Sequence, residues 1–256
     1  MELSRFGAKA LVIFLTAIPV SAQPQQAEHS SVVAPTTALL TGKAVPVSTA
    51  PGQDATFTFA GHAGQQMSLL LNDSTYPASC HRCIAMSVSI LKPDDGPLGW
   101  TALSDGHPAG FLDSLRLPIT GTYKIVFHSQ GQSSGTVNAT LYLFKHSSSV
   151  VDIGTEMAVN TDTPGQNLLL KFSGVAGQEV KAVLSKSTFG NCIGCVSLVA
   201  RIVAANGSSL GWAKMSGSET AMTIPSVTLP STGLYTVVID PQGNRVGSVT
   251  LALTIP

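Results

Sequence analysis

Leu117-Pro118-Ile119-Thr120-Gly121-Thr122-Tyr123-Lys124-Ile125-Val126-Phe127 returns 112 positions later, from residue 117 to residue 229, as Leu229-Pro230-Ser231-Thr232-Gly233-Leu234-Tyr235-Thr236-Val237-Val238-Ile239. In both stretches proline and glycine punctuate the chain, and apolar side chains then recur at every second residue. Proline cannot donate to a continuing ladder, so Pro118 and Pro230 end a strand. Alternation with one apolar face, as in Tyr123, Ile125 and Phe127, is what a half-buried strand requires.

The repetition extends outward on both sides. Pro51-Gly52-Gln53 recurs as Pro164-Gly165-Gln166, and Phe59-x-Gly61-x-Ala63-Gly64-Gln65 as Phe172-x-Gly174-x-Ala176-Gly177-Gln178, both at an offset of 113. Cys80-x-x-Cys83 returns as Cys192-x-x-Cys195, Leu98-Gly99-Trp100 as Leu210-Gly211-Trp212, and Gln130-Gly131 with Gly135 as Gln242-Gly243 with Gly247, at 112. One single-residue change of offset over about 100 residues marks a duplicated domain. Ile84, Met86, Val88 and Ile90 alternate with Ala85, Ser87 and Ser89, and Val196, Leu198, Ala200 and Ile202 occupy the equivalent places; Val137, Ala139, Leu141 and Leu143 form the last strand of the first copy, matched by Val249, Leu251, Leu253 and Ile255. About eight strands per copy, separated by Gly, Pro and Asn turns, read as an all-β fold: two tandem antiparallel β-sandwich domains of jelly-roll type.

Charged residues make up 11% of the 256, and 14 Lys+Arg balance 14 Asp+Glu. Such a chain has no basic surface for phosphate backbones, so it is not read as a nucleic-acid binder. Arg5 and Lys9 precede the apolar run Ala10–Ile18, Pro19 breaks it, and Val20-Ser21-Ala22 supplies a small-x-small cleavage pattern. The run is too short to span about 30 Å of hydrocarbon, so residues 1–22 read as a signal peptide cleaved after Ala22, leaving a product with no stable membrane insertion. Residues 23–41, rich in Gln, Pro, Ser and Thr, read as a polar leader. The first module is expected over 42–146, a linker over 147–154, and the second module over 155–256.

With AGQ…LGW…LPxTGxY…QG…G ending in an alternating strand, each copy resembles the bacterial pre-peptidase C-terminal type of module, across about 200 residues of the chain. The resemblance implies roughly hundred-residue jelly-roll sandwiches on secreted proteins, where such modules assist export, maturation, or surface and matrix binding. Its best-matched parts, Leu117 to Tyr123 and Leu229 to Tyr235, are structural signatures and not catalytic ones. No catalytic domain is expected outside the modules, and the paired cysteines are not a general family feature.

Several motifs are weighed against plainer readings. Both LPxTG sequences match a sortase signal, but neither is followed by an apolar segment and basic tail. Gly131-Gln132-Ser133-Ser134-Gly135 matches a hydrolase nucleophile elbow, yet it joins two alternating strands and the second copy, Gly243-Asn244-Arg245-Val246-Gly247, has no serine; it reads as a hairpin loop. His62, His81 and His107 lack metal-ligand spacing and read as solvated loop residues, so no metal and no cofactor are expected. Asp94-Asp95-Gly96, matched by Asn206-Gly207, reads as a turn, short of the six or more oxygens calcium takes. Asn72-Asp73-Ser74, Asn138-Ala139-Thr140 and Asn206-Gly207-Ser208 fit the N-glycosylation sequon. Gly135 and Gly247 are expected at positive φ. Trp100 and Trp212 read first as shared core or rim residues and second as stacking platforms, which makes them candidate ligand contacts.

Export to an oxidising compartment favours local bridges Cys80–Cys83 and Cys192–Cys195. Zinc held by all four cysteines, or a redox role, stays open beside them. The functional expectation is a secreted, envelope or periplasmic non-catalytic protein that binds an extracellular protein or polysaccharide through loops at the sandwich ends. The alternatives are an accessory to export or maturation of a secreted protease, and an extracytoplasmic thiol oxidoreductase using the C-x-x-C pairs.

Overall fold

A computed structural model of the chain describes residues 37–76, 83–104, 108–190 and 194–256. The expected signal peptide and most of the expected leader lie outside these residues. The first copy contributes β1 (Thr37–Ala38), β2 (Ala44–Thr49), β3 (Asp54–Gly61), β4 (Gln66–Asn72), β5 (Ile84–Leu91), β6 (Pro97–Ser104), β7 (Gly110–Arg116), β8 (Gly121–Ser129) and β9 (Gly135–Phe144). The second contributes β10 (Ser147–Val150), β11 (Glu156–Thr161), β12 (Leu168–Gly174), β13 (Glu179–Ser185), β14 (Val196–Ala204), β15 (Ser209–Ser216), β16 (Met222–Thr228), β17 (Gly233–Pro241) and β18 (Gly247–Thr254).

In the first copy β2 pairs with β9, β3 with β8, β4 with β7 and β5 with β6, all antiparallel. This is one long hairpin rolled up on itself, giving sheets β2-β9-β4-β7 and β1-β3-β8-β5-β6. The second copy repeats the scheme as β11-β18-β13-β16 and β10-β12-β17-β14-β15. The all-β jelly-roll expectation therefore holds for both copies. Tyr123, Ile125 and Phe127 stand in one core with Met67, Leu69 and Leu141; Tyr235, Val237 and Ile239 stand in the other with Leu184 and Leu251.

Five local expectations change. Thr37–Ala38, expected in the leader, forms β1 and pairs parallel to β3, with Leu39 buried after it. Ser147–Val150, expected in the linker, forms β10, parallel to β12, and is followed by buried Val151. Each copy thus has a parallel edge strand before its first hairpin, with Thr37 equivalent to Ser149, and each is too short to show a period. Ile84 is exposed while Ala85 is buried, because a register shift between Ile84 and Met86 reverses the alternation; the same shift falls between Val196 and Leu198 and buries Ser197. Ile255 lies past the end of β18 and is exposed. Gly135 and Gly247 do open the last strands; Gly247 has the expected positive φ, at 158, whereas Gly135 does not. Glycine is required there by close approach, since a Cβ would lie 2.9 Å from the Tyr76 nitrogen at Gly135 and 2.9 Å from the Thr188 carbonyl at Gly247.

The strongest repeated motifs tie two loops together. Leu117 N–H donates to Gln65 O, and Gly64 N–H to Leu117 O, both at 2.8 Å. Thr120 Oγ1 accepts Ala63 N–H at 3.0 Å, and the buried Tyr123 sends its hydroxyl to Ile119 O at 2.6 Å. Thr232, Ala176, Tyr235 and Ser231 repeat these bonds. Every polar residue of the LPxTG sequence is thus occupied in a strand-to-strand corner.

The two sandwiches meet at a seam. Ser68, buried on β4, donates its hydroxyl to Pro164 O at 2.6 Å, and a Cβ on Gly165 would lie 3.0 Å from Ser68 Cβ and 3.4 Å from Asp113 Oδ1. The Pro-Gly-Gln loop of the second copy is packed here, whereas Pro51-Gly52-Gln53 of the first is exposed.

Candidate functional site

Strand parity decides where the two tryptophans point. On β6, Leu103 is buried, and a Cβ on Gly99 would lie 2.4 Å from Leu115 Cδ1, so Gly99, Thr101 and Leu103 face inward. On β15 a Cβ at Gly211 would lie 2.7 Å from Val227 Cγ1, and Met215 is buried. Trp100 and Trp212 are consequently turned outward, 64% and 60% exposed. The core or rim expectation for them is corrected: the glycine before each indole, and not the indole, occupies the inward place. Directly opposed residues in an antiparallel pair share a face. Trp100 opposes Ser89, which opposes Val126, which opposes Thr56. Trp212 opposes Arg201, which opposes Val238, which opposes Leu169. Each sandwich therefore carries one indole on the edge strand of its outer sheet face, at equivalent positions.

The loop end of the first sandwich holds an open cleft of about 450 Å3 lined by Ser48, Thr49, Ala50, Gln53, Asp54, Ala55 and Ser134. Beneath it, Thr49 Oγ1 is hydrogen-bonded to both Tyr76 Oη and Ser129 Oγ. At its side Asp54 and His128 are paired across β3 and β8, with Oδ1 and Nδ1 2.5 Å apart and both side chains about half exposed. Sequence reading missed this pair, although their register on facing strands is visible once the two alternations are aligned. Ser133 sits in the β8–β9 hairpin loop, with its N–H on Gln130 O at 3.0 Å and Gly131 at φ 58. That is a strand-to-strand turn and not the strand-to-helix turn that raises a nucleophile.

His62 lies in an exposed turn closed by its own N–H on Gln65 Oε1; His81 and His107 lie outside the described residues. Among the described residues no three His, Cys, Asp or Glu side chains are grouped to hold a metal. Asp94 accepts Gly96 N–H at 3.0 Å and Lys92 Nζ at 3.2 Å, which together hold its carboxyl below the usual aspartate value. Asp95, left-handed at φ 62, meets Lys124 Nζ at 2.6 Å. Both carboxylates of this loop are thus tied to lysines within a turn.

Cys80 and Cys192 lie outside the described residues. Neither Cys83 nor Cys195 is a free thiol. Arg245, in the β17–β18 loop, donates Nη2–H to Cys195 Sγ at 3.0 Å and Nη1–H to Gln242 O at 2.7 Å. Position 245 is Ser133 in the first copy, so the residue that meets the cysteine sulfur in the second copy is not repeated as an arginine in the first. That substitution between copies was the available sequence signal.

Charge also gathers near the seam. Burial, and then the Asp113 carboxylate, push Asp240 above the usual aspartate value, against the pull of Arg201. Burial lowers His146, with Asp113 opposing; its Nδ1 accepts Asn167 N–H at 3.0 Å. Asn167 Oδ1 is buried with no hydrogen-bond partner among the described residues.

No family profile matches the chain, and no curated protein matches it in sequence. Among solved structures it is similar to the CUB1-EGF-CUB2 domain of human MASP-1/3, at 8% identity and TM-score 0.27, covering 82% of this chain and 99% of that one. It is similar to PBSX exported protein XepA at 11% identity and TM-score 0.28, covering 83% and 86%. The ANX2 ectodomain from Arabidopsis thaliana gives 11% identity and TM-score 0.25, covering 85% and 92%.

Proposed function

We propose that this chain is a non-catalytic binding protein of the extracytoplasmic space, built from two pre-peptidase C-terminal-like sandwiches and carrying one contact indole on each. The observation that carries this reading is the pair of exposed tryptophans at equivalent positions, Trp100 and Trp212. A large aromatic ring held in water by strand parity in both copies forgoes its burial energy twice, and exposed aromatic surface of this kind marks contact sites. On the first sandwich the indole is flanked across the strands by Ser89 and, beyond Val126, by Thr56. A flat ring beside hydroxyls suits the apolar face and hydroxyl rim of a sugar ring, and two such places in tandem suit a ligand that is itself repetitive. The proposed partner is an extracellular polysaccharide. Local bridges Cys80–Cys83 and Cys192–Cys195 fit the same compartment and are supported by the absence of a free thiol at Cys83 and Cys195.

The test is a glycan array and polysaccharide pulldown with the 23–256 fragment, its Trp100→Ala and Trp212→Ala variants, and the double variant. Retention by a polysaccharide that falls with each single variant and vanishes in the double one supports the reading. Retention only by a protein partner, or undiminished binding by the double variant, refutes it.

A further inference from the structure

The outer face around Trp212 carries charge as well as a ring. Arg201 on β14 directly opposes Trp212 on β15, and Lys214, two residues along β15, opposes Val199. All three of Trp212, Arg201 and Lys214 are exposed, and diagonal neighbours on paired strands lie within reach of long side chains. The two cations therefore stand together beside the indole and repel each other, which costs stability unless an anion comes between them. On the same face Lys171 of β12 opposes Thr236 of β17. Strand β12 lies three places from β15 in the sheet, about 15 Å at the usual spacing of strands. The carboxylate at these outward positions is Asp240, whose Oδ2 stands 4.0 Å from Arg201 Nη2. Burial and then the Asp113 carboxylate push Asp240 above the usual aspartate value, so it is a weak counterweight to three cations. Among the described residues neither Lys214 nor Lys171 is ion-paired. The places of Arg201 and Lys214 are held in the first copy by Ser89 and Ala102.

We propose that the Trp212 face is a subsite for a uronate residue of an acidic polysaccharide, with the sugar ring on the indole and its carboxylate between Arg201 and Lys214. This deepens the polysaccharide reading and rests on it. A uronic acid keeps the apolar ring face of a neutral sugar and adds a carboxylate at the ring edge. Opposed residues of an antiparallel pair hold their Cβ atoms about 5 Å apart, so a ring laid on Trp212 carries its edge to Arg201. The guanidinium offers a carboxylate two parallel donors, and the Lys214 ammonium offers a third. A carboxylate placed there also relieves the repulsion between the two cations, so charge contributes to affinity as well as to steering. Lys171 stands where a second carboxylate arrives farther along an extended chain, which suits a polymer with acids on successive sugars. An acidic polypeptide would meet the cations but leave the indole without a flat apolar ring to cover it.

Three probes separate ring from charge, each titrated into the 23–256 protein by calorimetry with a chelator present. Sodium alginate carries both, its propylene glycol ester keeps the ring and masks the carboxylate, and poly-glutamate keeps the carboxylate and lacks the ring. Alginate is expected to bind at least about tenfold more tightly than the ester. The gap should narrow between about 50 and 500 mM NaCl, as screening shortens the reach of charge. Arg201→Ser and Lys214→Ala install the first copy's residues at exposed positions; each should weaken alginate binding, and together they should abolish the preference over the ester. Asp240→Asn removes the opposing carboxylate and should strengthen alginate binding, a gain that misfolding cannot mimic. Equal binding of alginate and ester, or a preference that survives Arg201→Ser/Lys214→Ala, overturns the inference; the polysaccharide reading still stands where that binding is lost in Trp100→Ala/Trp212→Ala. Poly-glutamate bound as tightly as alginate, or alginate not bound at all, also overturns the inference, and the polysaccharide reading is then decided by its own glycan array.

Discussion

The hydroxyl of Tyr123 donates to the carbonyl of Ile119 at 2.6 Å and accepts the N–H of the same residue at 3.3 Å, so one buried side chain satisfies both backbone groups of a residue four positions before it. Tyr235 does the same for Ser231. The bond pins the corner where the chain crosses from one sheet to the other. Tyr123→Phe keeps the ring and removes the hydroxyl, leaving two partly buried backbone groups unmatched. It is expected to lower stability by about 1–3 kcal/mol, and Tyr235→Phe by a similar amount, read as a lower urea midpoint at unchanged slope. A loss within error of zero in both variants contradicts the role of the corner.

Gly61 is fixed by what surrounds it. A Cβ there would stand 2.5 Å from Leu117 Cδ1 and 3.0 Å from Tyr123 Cε2, inside a closed core. Gly61→Ala is expected to destabilise by about 1–3 kcal/mol through overpacking. Leu117→Val removes the clashing atom, so the double variant Gly61→Ala/Leu117→Val should lose less than the sum of the single changes. Additive losses in that cycle would place the strain elsewhere.

The opening edge strand is part of the first sandwich. Leu39 N–H bonds to Thr58 O at 2.8 Å and its side chain is buried. A fragment of residues 37–146 should therefore unfold cooperatively as a β-rich domain. A fragment starting at residue 42 should be less stable by about 1.5–3 kcal/mol, the burial of one leucine. Circular dichroism with urea titration distinguishes them; equal midpoints would show that β1 contributes nothing.

Asp240 and His146 give opposite pH dependence. Burial and Asp113 raise Asp240 in the fold, so its contribution is full below the unfolded value of about 3.8 and is lost as pH rises through the folded one. Asp240→Asn should stabilise at pH 7 and not at pH 3.5, by less than about 1 kcal/mol for a group this near solvent. His146 is lowered by burial, so its contribution is full above about 6.5 and is lost as pH falls through the folded value. His146→Gln should flatten the stability profile below pH 6.5. Thermal midpoints across pH 3.5–8 read both, and a parallel shift of the whole curve in either variant contradicts the assignment.

Alternation made the core of each copy legible: Tyr123, Ile125 and Phe127 are buried as their period requires. Ile84 was not, because a bulge inserts one residue and reverses every later face, and a bulge leaves no mark in a run of apolar and small residues. Trp100 was misplaced for a related reason. Leu98, Trp100 and Ala102 form as good an apolar set as Gly99, Thr101 and Leu103, and only the approach of Leu115 to Gly99 selects between them. Strand β1 is two residues long and parallel to its neighbour, so it has no period to read. Arg245 reaches Cys195 from 50 residues away in sequence, which no local pattern encodes.

The chain has two tryptophans, and they are the two proposed contact residues, so its intrinsic emission reports on the proposed site alone. Titrating the 23–256 fragment with a soluble oligosaccharide of the polysaccharide retained in pulldown is the most direct measurement. The account predicts a blue-shifted emission that saturates with binding, about half of the change remaining in Trp100→Phe and in Trp212→Phe, since each sandwich contributes one indole. Saturable binding by calorimetry with no change in emission, and with equal affinity in the double variant, would contradict it.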